Sequence, residues 1–260
     1  MERKTTLIDT HCHLNHPLLA SDLKGILYRS RTAGVTDFVI PGYNYDGWQT
    51  ILSLCREKSY LHPALGVHPL FFNETGELKV LQNLCESEKV VAVGEIGLDF
   101  QYGRENVQKQ QELFRGQLDI AQALHLPVLL HVRKAHDQVL AVLRRSHFRY
   151  GGIVHAFNGS RQQADIYLGL GFVLGYGGML TWERAKKIRK LAAELPLEAI
   201  VLETDGPDMA PAEKKDLPNS PENLPMVLKA LASLRRESAE EIAFQTSANA
   251  KKILNLQTAG

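Results

Sequence analysis

The chain lacks any apolar run approaching the roughly 20 residues needed to cross a bilayer. Its opening stretch, MERKTTLIDTH, has no apolar signal core. These two absences argue against a membrane protein. Cysteine is scarce: Cys12, Cys55 and Cys85 show no CxxC metal spacing. An odd number of cysteines without a framework suits a reduced, cytoplasmic protein. Charge of one sign is not in excess either. Lys plus Arg total 30 and Asp plus Glu 29, for a formal net charge of +1. A strongly basic chain would argue for non-specific nucleic-acid affinity. A neutral total neither supports nor excludes it, since a local basic rim fits within such a balance. No repeat, low-complexity tract or linker divides the sequence, so residues 1–260 read as one domain. No coiled-coil pattern or obligate protein partner is apparent, and a monomer is expected.

What is present is an alternation of short apolar runs with helical patterns. The strand candidates are 6–14, 36–42, 62–68, 90–99, 127–133, 151–157, 172–178 and 199–207. Helical periodicity marks 107–125, where Phe114, Leu118, Ala121 and Leu124 recur at helical spacing. Further helices are predicted over 183–194, with Thr181 as its N-cap, and over 222–236 and 238–256. Ser238 with Glu241 fits a capping box. Strands alternating with helices imply parallel pairing through right-handed crossovers. Eight such units point to an α/β fold, a closed (β/α)8 TIM-type barrel. A doubly wound open sheet is the alternative, but its glycine fingerprint is absent after the first strand. The Pro-rich, charged segment 208–225 reads as a long loop at the active-site mouth.

Polar residues end the apolar runs. His11 and His13 in LIDTHCHL are two apart, so on a strand they share a face. Glu95, His131, His155 and Asp205 end later runs, as does His68 in GVHP. Parallel barrels carry their active-site groups at the C-terminal ends of strands. Taken singly, each has a plainer reading: a core histidine, a turn-forming aspartate, a glutamate paired with an arginine. Six donors of the right type at strand ends are hard to assign to chance. They exceed what one tetrahedral ion uses. They suit two divalent ions sharing a carboxylate, about 3.5–4 Å apart, a machine for hydrolysing phosphate esters and less often amides or other esters. The donor mix suits Zn, Mn, Fe or Co, with weaker Mg binding possible.

The motifs IDTHCHL, GVHP, GEIGLDF, LLHVRKAHD, IVHAFNGS and LETDGPDMAP resemble, in order and spacing, those of TatD-type metal-dependent hydrolases. The stretch GYGGMLTWERAKKIRKLAAELPLEAIVLETD is most similar to the YjjV-like branch. The resemblance spans nearly the whole chain. It implies an amidohydrolase-like TIM barrel, divalent-metal dependence and, for several relatives, deoxyribonuclease activity of the 3′ to 5′ exonuclease type. Carried over by motif, His11, His13 and Asp205 would hold one metal, His131 and His155 the other, and Glu95 would bridge them. Asp205 would also be the catalytic proton acceptor. His68 would contact phosphate, and Arg133, two residues past His131, could reach a phosphate oxygen. The plain alternative for Arg133 is a solvated rim charge.

Three departures bear on the substrate. Ala156 follows His155 where relatives have cysteine, Asp208 replaces an aromatic, and Pro218 precedes Asn219 where relatives carry arginine. The expected activity is a DNA-cutting or other phosphodiesterase, although Asp208 facing the site would repel a polyphosphate. One rival is a small-molecule esterase, lactonase or amidase, many of which bridge their metals with a carboxylated lysine. The fourth strand ends in Glu95 instead. The other rival is a non-enzymatic nucleic-acid-binding scaffold, which has no need of both histidine pairs and both carboxylates.

Overall fold

A computed structural model describes residues 6–71, 77–101, 103 and 106–256. Its eight strands are β1 (Leu7–Asp9), β2 (Val35–Pro41), β3 (Leu61–Leu65), β4 (Ala92–Asp99), β5 (Val128–Arg133), β6 (Gly152–Val154), β7 (Phe172–Tyr176) and β8 (Ile200–Leu202). They form one parallel sheet in sequence order. Backbone hydrogen bonds join its two edges: Thr10 N donates to the Leu202 carbonyl (3.1 Å) and Asp205 N to that of His11 (2.8 Å). The sheet therefore curls into the expected TIM-type barrel. A helix follows each of β2 to β7, as right-handed crossovers require.

The apolar runs become strands because parallel strands are covered on both faces. Inside, Ile8, Val39, Ala64, Ala92, Leu129, Ile153 and Val201 pack together with Val173, one residue from each strand. Ala250 of the helix Ala239–Ile253 and Leu254 just past its end close this layer. That helix opens on the expected capping box: Ser238 Oγ accepts from Glu241 N, and Ser238 N donates to the Glu241 carboxylate. Side chains two residues further along β5 and β6 share the inward parity of Leu129 and Ile153. Those positions are His131 and His155, so the polar layer sits directly above the apolar plug.

Several boundaries differ from expectation: β3, β6 and β8 stop at Leu65, Val154 and Leu202, short of the expected residues 68, 157 and 207. β1 ends at Asp9 and does not run to residue 14. Beyond it the backbone alternates its partners: Cys12 N bonds Val39 while Thr10 N bonds Leu202, so no regular ladder forms on either side. Thr181 is not a helix N-cap. Its hydroxyl bonds the Gly178 carbonyl (2.7 Å) and Ala212 N (2.8 Å), and the helix starts at Lys186. The expected helix over 222–236 narrows to Leu224–Ala232, entered through a short turn at Pro221–Asn223. Among the described residues, no helix is long and apolar enough to cross a membrane.

Candidate metal centre

His11 and His13 lie just past β1, clamped against the segment after β8. The His11 carbonyl accepts from Asp205 N, and His13 N donates to the Gly206 carbonyl (2.8 Å). Asp205 has a left-handed φ of 58°, which aspartate tolerates better than most residues. Glu95 sits where the β4–β5 register shifts, between Val93 and Ile96. Gly97 faces His131 with φ 146°, and a Cβ there would meet the His131 carbonyl oxygen at 2.0 Å. Only glycine lets the two strands approach so closely at this point.

The six expected donors converge. Glu95 Oε2 is 3.3 Å from His11 Nε2 and 3.7 Å from His13 Nε2. Glu95 Oε1 is 2.8 Å from His131 Nδ1 and 3.4 Å from His155 Nε2. Asp205 Oδ1 lies 3.7 Å and 3.6 Å from the Nε2 atoms of His11 and His13. Each oxygen of Glu95 thus faces a different pair of histidines. Three groups of donors lie mutually close enough to share a cation: His11 with His13 and Asp205, His11 with Glu95 and His155, and His68 with Glu95 and His131.

Hydrogen bonds decide which nitrogens have lone pairs to offer. His13 Nδ1 is 3.3 Å from the Pro41 carbonyl, an acceptor only, so that nitrogen carries the proton and Nε2 is left free. His155 Nδ1 lies 3.2 Å from Glu203 Oε1, which leaves Nε2 free in the same way. His131 lies between two carboxylates, Nε2 3.0 Å from Asp99 Oδ2 and Nδ1 2.8 Å from Glu95 Oε1, so Nδ1 is the nitrogen turned to the donor cluster. Metal-binding histidines are characteristically oriented through such partners. Neither nitrogen of fully buried His11 makes a hydrogen bond. Its Nε2 is near Glu95 but not aligned with it, an orphan that a cation would satisfy. His68 differs. Its Nδ1 accepts from Leu70 N (3.2 Å), so in the neutral ring Nε2 must carry the proton. In that tautomer His68 presents an N–H, not a lone pair, at Nε2, which lies 3.9 Å from Glu95 Oε1.

The electrostatics agree. Burial would raise the Glu95 carboxyl, but His11, His155 and His68 outweigh it and hold it well below its usual range. Burial opposes charge on His155, yet Asp205, Glu203 and Glu95 pull it up to about 10, so with no cation present the ring is protonated and its Nε2 would release that proton on binding one. Burial lowers His68 to about 3, so it stays neutral. Burial, with His155 beside it, lowers His11. The cluster holds anionic carboxylates and draws in positive charge.

These groups open into a pocket of about 870 Å³. Arg133 lines it and is exposed, on the same side as its expected role requires. Ala156 and Asp208 line it too, and Asp208 is exposed. Pro218 does not line it. Next to Pro218, Asn219 is buried and pins the loop after β8 through its amide, which donates to the Thr204 carbonyl (2.7 Å).

The TatD-related DNase profile matches residues 8–255. The chain belongs to the TatD-related DNase family. It is 39% identical over 253 residues to the Escherichia coli metal-dependent hydrolase YjjV, covering 96% of this chain and 98% of that protein. The crystal structure of YjjV matches with a TM-score of 0.94, over 98% of this chain and 100% of that one. A protein from Erwinia tasmaniensis named 3′-5′ ssDNA/RNA exonuclease TatD is 34% identical over 259 residues, 96% of this chain and 100% of that protein.

Sequence reasoning passed over three buried carboxylates that this TatD-family site uses. Glu203 orients His155 and also accepts from Ala156 N (2.6 Å). Asp99 orients His131. Asp9 accepts from Thr204 N (2.9 Å) and His11 N (3.3 Å), tying the two edges of the site together. Each lies two or four residues from a donor already singled out, a same-face spacing that could have found them. Glu203 needs room: a Cβ on Gly175 would meet its Oε2 at 2.1 Å.

Proposed function

We propose that this TatD-family protein is a metal-dependent phosphodiesterase that holds two divalent cations and cuts DNA, from the 3′ end as the name of the Erwinia relative describes for that protein. The carrying observation is Glu95, whose two oxygens face separate histidine pairs. His11, His13 and Asp205 would hold one cation, His131 and His155 the other, with Glu95 between them. A bound pair of this kind supplies hydroxide near neutral pH and offsets charge on both the entering and leaving oxygens of a phosphodiester.

The chain's own residues do the rest. Asp205, which His155 and His13 keep below its usual carboxylate range against the opposing effect of burial, is anionic and accepts the proton of the attacking water. Neutral His68 donates a hydrogen bond from its Nε2–H to a phosphate oxygen. Arg133 adds positive charge at the pocket wall. Asp208 opposes the approach of a long polyanion.

A substrate panel tests the reading. Metal-reconstituted protein should release nucleotides from single-stranded DNA more readily than it cleaves aryl esters or phosphomonoesters. Hydrolysis of aryl esters alone would return the esterase rival. In the same assay, Arg133→Ala should raise the KM for DNA about 3- to 5-fold, as suits an exposed charge contact of up to about 1 kcal/mol, with metal content unchanged. An unchanged KM would leave Arg133 an exposed rim charge. Glu203→Gln should weaken metal uptake about 10- to 100-fold, the usual effect of disturbing a ligand's hydrogen-bond partner. Chelator competition reads this directly, and an unaltered affinity would make Glu203 a packing residue.

A further inference from the structure

The pocket has an aromatic wall that the chemistry above leaves unused. The Tyr43 and Phe71 rings lie 5.4 Å apart, centroid to centroid. Tyr43 meets His13 edge-on at 5.5 Å, and Phe71 lies 5.4 Å from His68. The rings thus step outward from the donor cluster to the mouth. Phe71 is 51% exposed, with Leu70 beside it at 41%. The open face of Phe71 is apolar surface that gains from being covered. The wall is also held in place. His68 N donates to the Tyr43 carbonyl (2.9 Å), Phe71 N to the His68 carbonyl (3.0 Å), and Leu70 N to His68 Nδ1. Leu70, Phe71 and Tyr43 line the same pocket as Arg133 and the donor cluster.

We propose that Tyr43 and Phe71 form a stacking subsite for the nucleobase next to the cleaved phosphate. The inference rests on the phosphodiesterase reading. A nucleotide chain carries a flat ring within one residue of each phosphorus. An exposed π face beside a phosphate-handling cluster matches that spacing of chemistries. Stacking accepts every base, because all of them present a π face. It demands an unpaired base, since a duplex covers its own faces. The pocket's volume of about 870 Å³ falls within the range for small-molecule sites, which suits one end of a strand. The subsite therefore makes this chain select frayed or single-stranded ends, with Phe71 as the outer contact.

The test compares two end-labelled single-stranded oligodeoxynucleotides, one with ordinary bases and one abasic at its terminal nucleotides. Both are cut by metal-reconstituted wild type, Phe71→Ala and Phe71→Trp. Stacking is worth about 1–3 kcal/mol per base, so wild type should favour the base-bearing strand about 5- to 100-fold in kcat/KM. Phe71→Ala should lose most of that preference, through a higher KM on the base-bearing strand. Phe71→Trp should keep the preference. Equal cutting of both strands by wild type, or a preference that survives in Phe71→Ala, would overturn the subsite and leave the phosphodiesterase reading standing. If wild type takes up metal but cuts neither strand, the phosphodiesterase reading itself fails and the subsite falls with it.

Discussion

Glu95→Gln should lose at least one bound metal per chain and about 10²–10⁴ in turnover while keeping its fold. The carboxylate is nearly fully buried, and its two oxygens lie 3.3 Å from His11 and 2.8 Å from His131. Glutamine matches its size but carries no charge, and it turns one oxygen into an N–H donor. A single amide oxygen cannot serve two cations. Several kcal/mol of charge stabilisation rest on such a pair, and each 1.36 kcal/mol is tenfold in rate. The fold should survive because the substitution removes a buried charge without opening a cavity. Elemental analysis, turnover and circular dichroism read the three parts separately. Wild-type turnover in the variant would make Glu95 a structural strand-end residue.

Asp205→Asn separates chemistry from architecture. Asparagine keeps an oxygen of similar shape toward His11 and His13, now 3.7 Å and 3.6 Å away. It also tolerates the left-handed φ of 58° at this position. It cannot take a proton at neutral pH. Removing a general base typically costs about 10²–10⁴ in rate, so turnover should fall by at least that factor. DNA binding and most of the thermal stability should remain. An unfolded variant would make Asp205 a turn residue first. A folded, fully active one would assign the proton transfer to another group.

The eight strands were legible because a parallel barrel buries both strand faces, and burial writes continuous apolar runs into the sequence. Strand ends were less legible. Whether residues 10–14 continue β1 depends on whether their backbone meets β2 or β8, and it meets both in turn. Thr181 has the composition of an N-cap, but its hydroxyl is taken by Gly178 and Ala212, the latter 31 residues away. The six donors could be read because each follows an apolar run. His131, His155 and Asp205 keep the inward parity of Leu129, Ile153 and Val201. His11, His13 and Glu95 instead reach the same layer through the irregular backbone after β1 and the register shift in β4. Which nitrogen each histidine offers could not. That depends on acceptors distant in sequence: Pro41 for His13, Asp99 for His131 and Glu203 for His155, the last 48 residues apart. The same dependence sets His68 apart. GVHP alone makes it a possible ligand, whereas the Leu70 N–H on its Nδ1 leaves an N–H, not a lone pair, at Nε2 of the neutral ring.

The most direct measurement is metal stoichiometry. Purified protein, stripped by chelator, reloaded with one divalent metal and freed of excess, should carry about two ions per chain, as dinuclear hydrolases do. A two-ion value in wild type that falls in Glu95→Gln would match a carboxylate shared between His11 and His13 on one side and His131 and His155 on the other. A wild-type value at or below one ion per chain would contradict it.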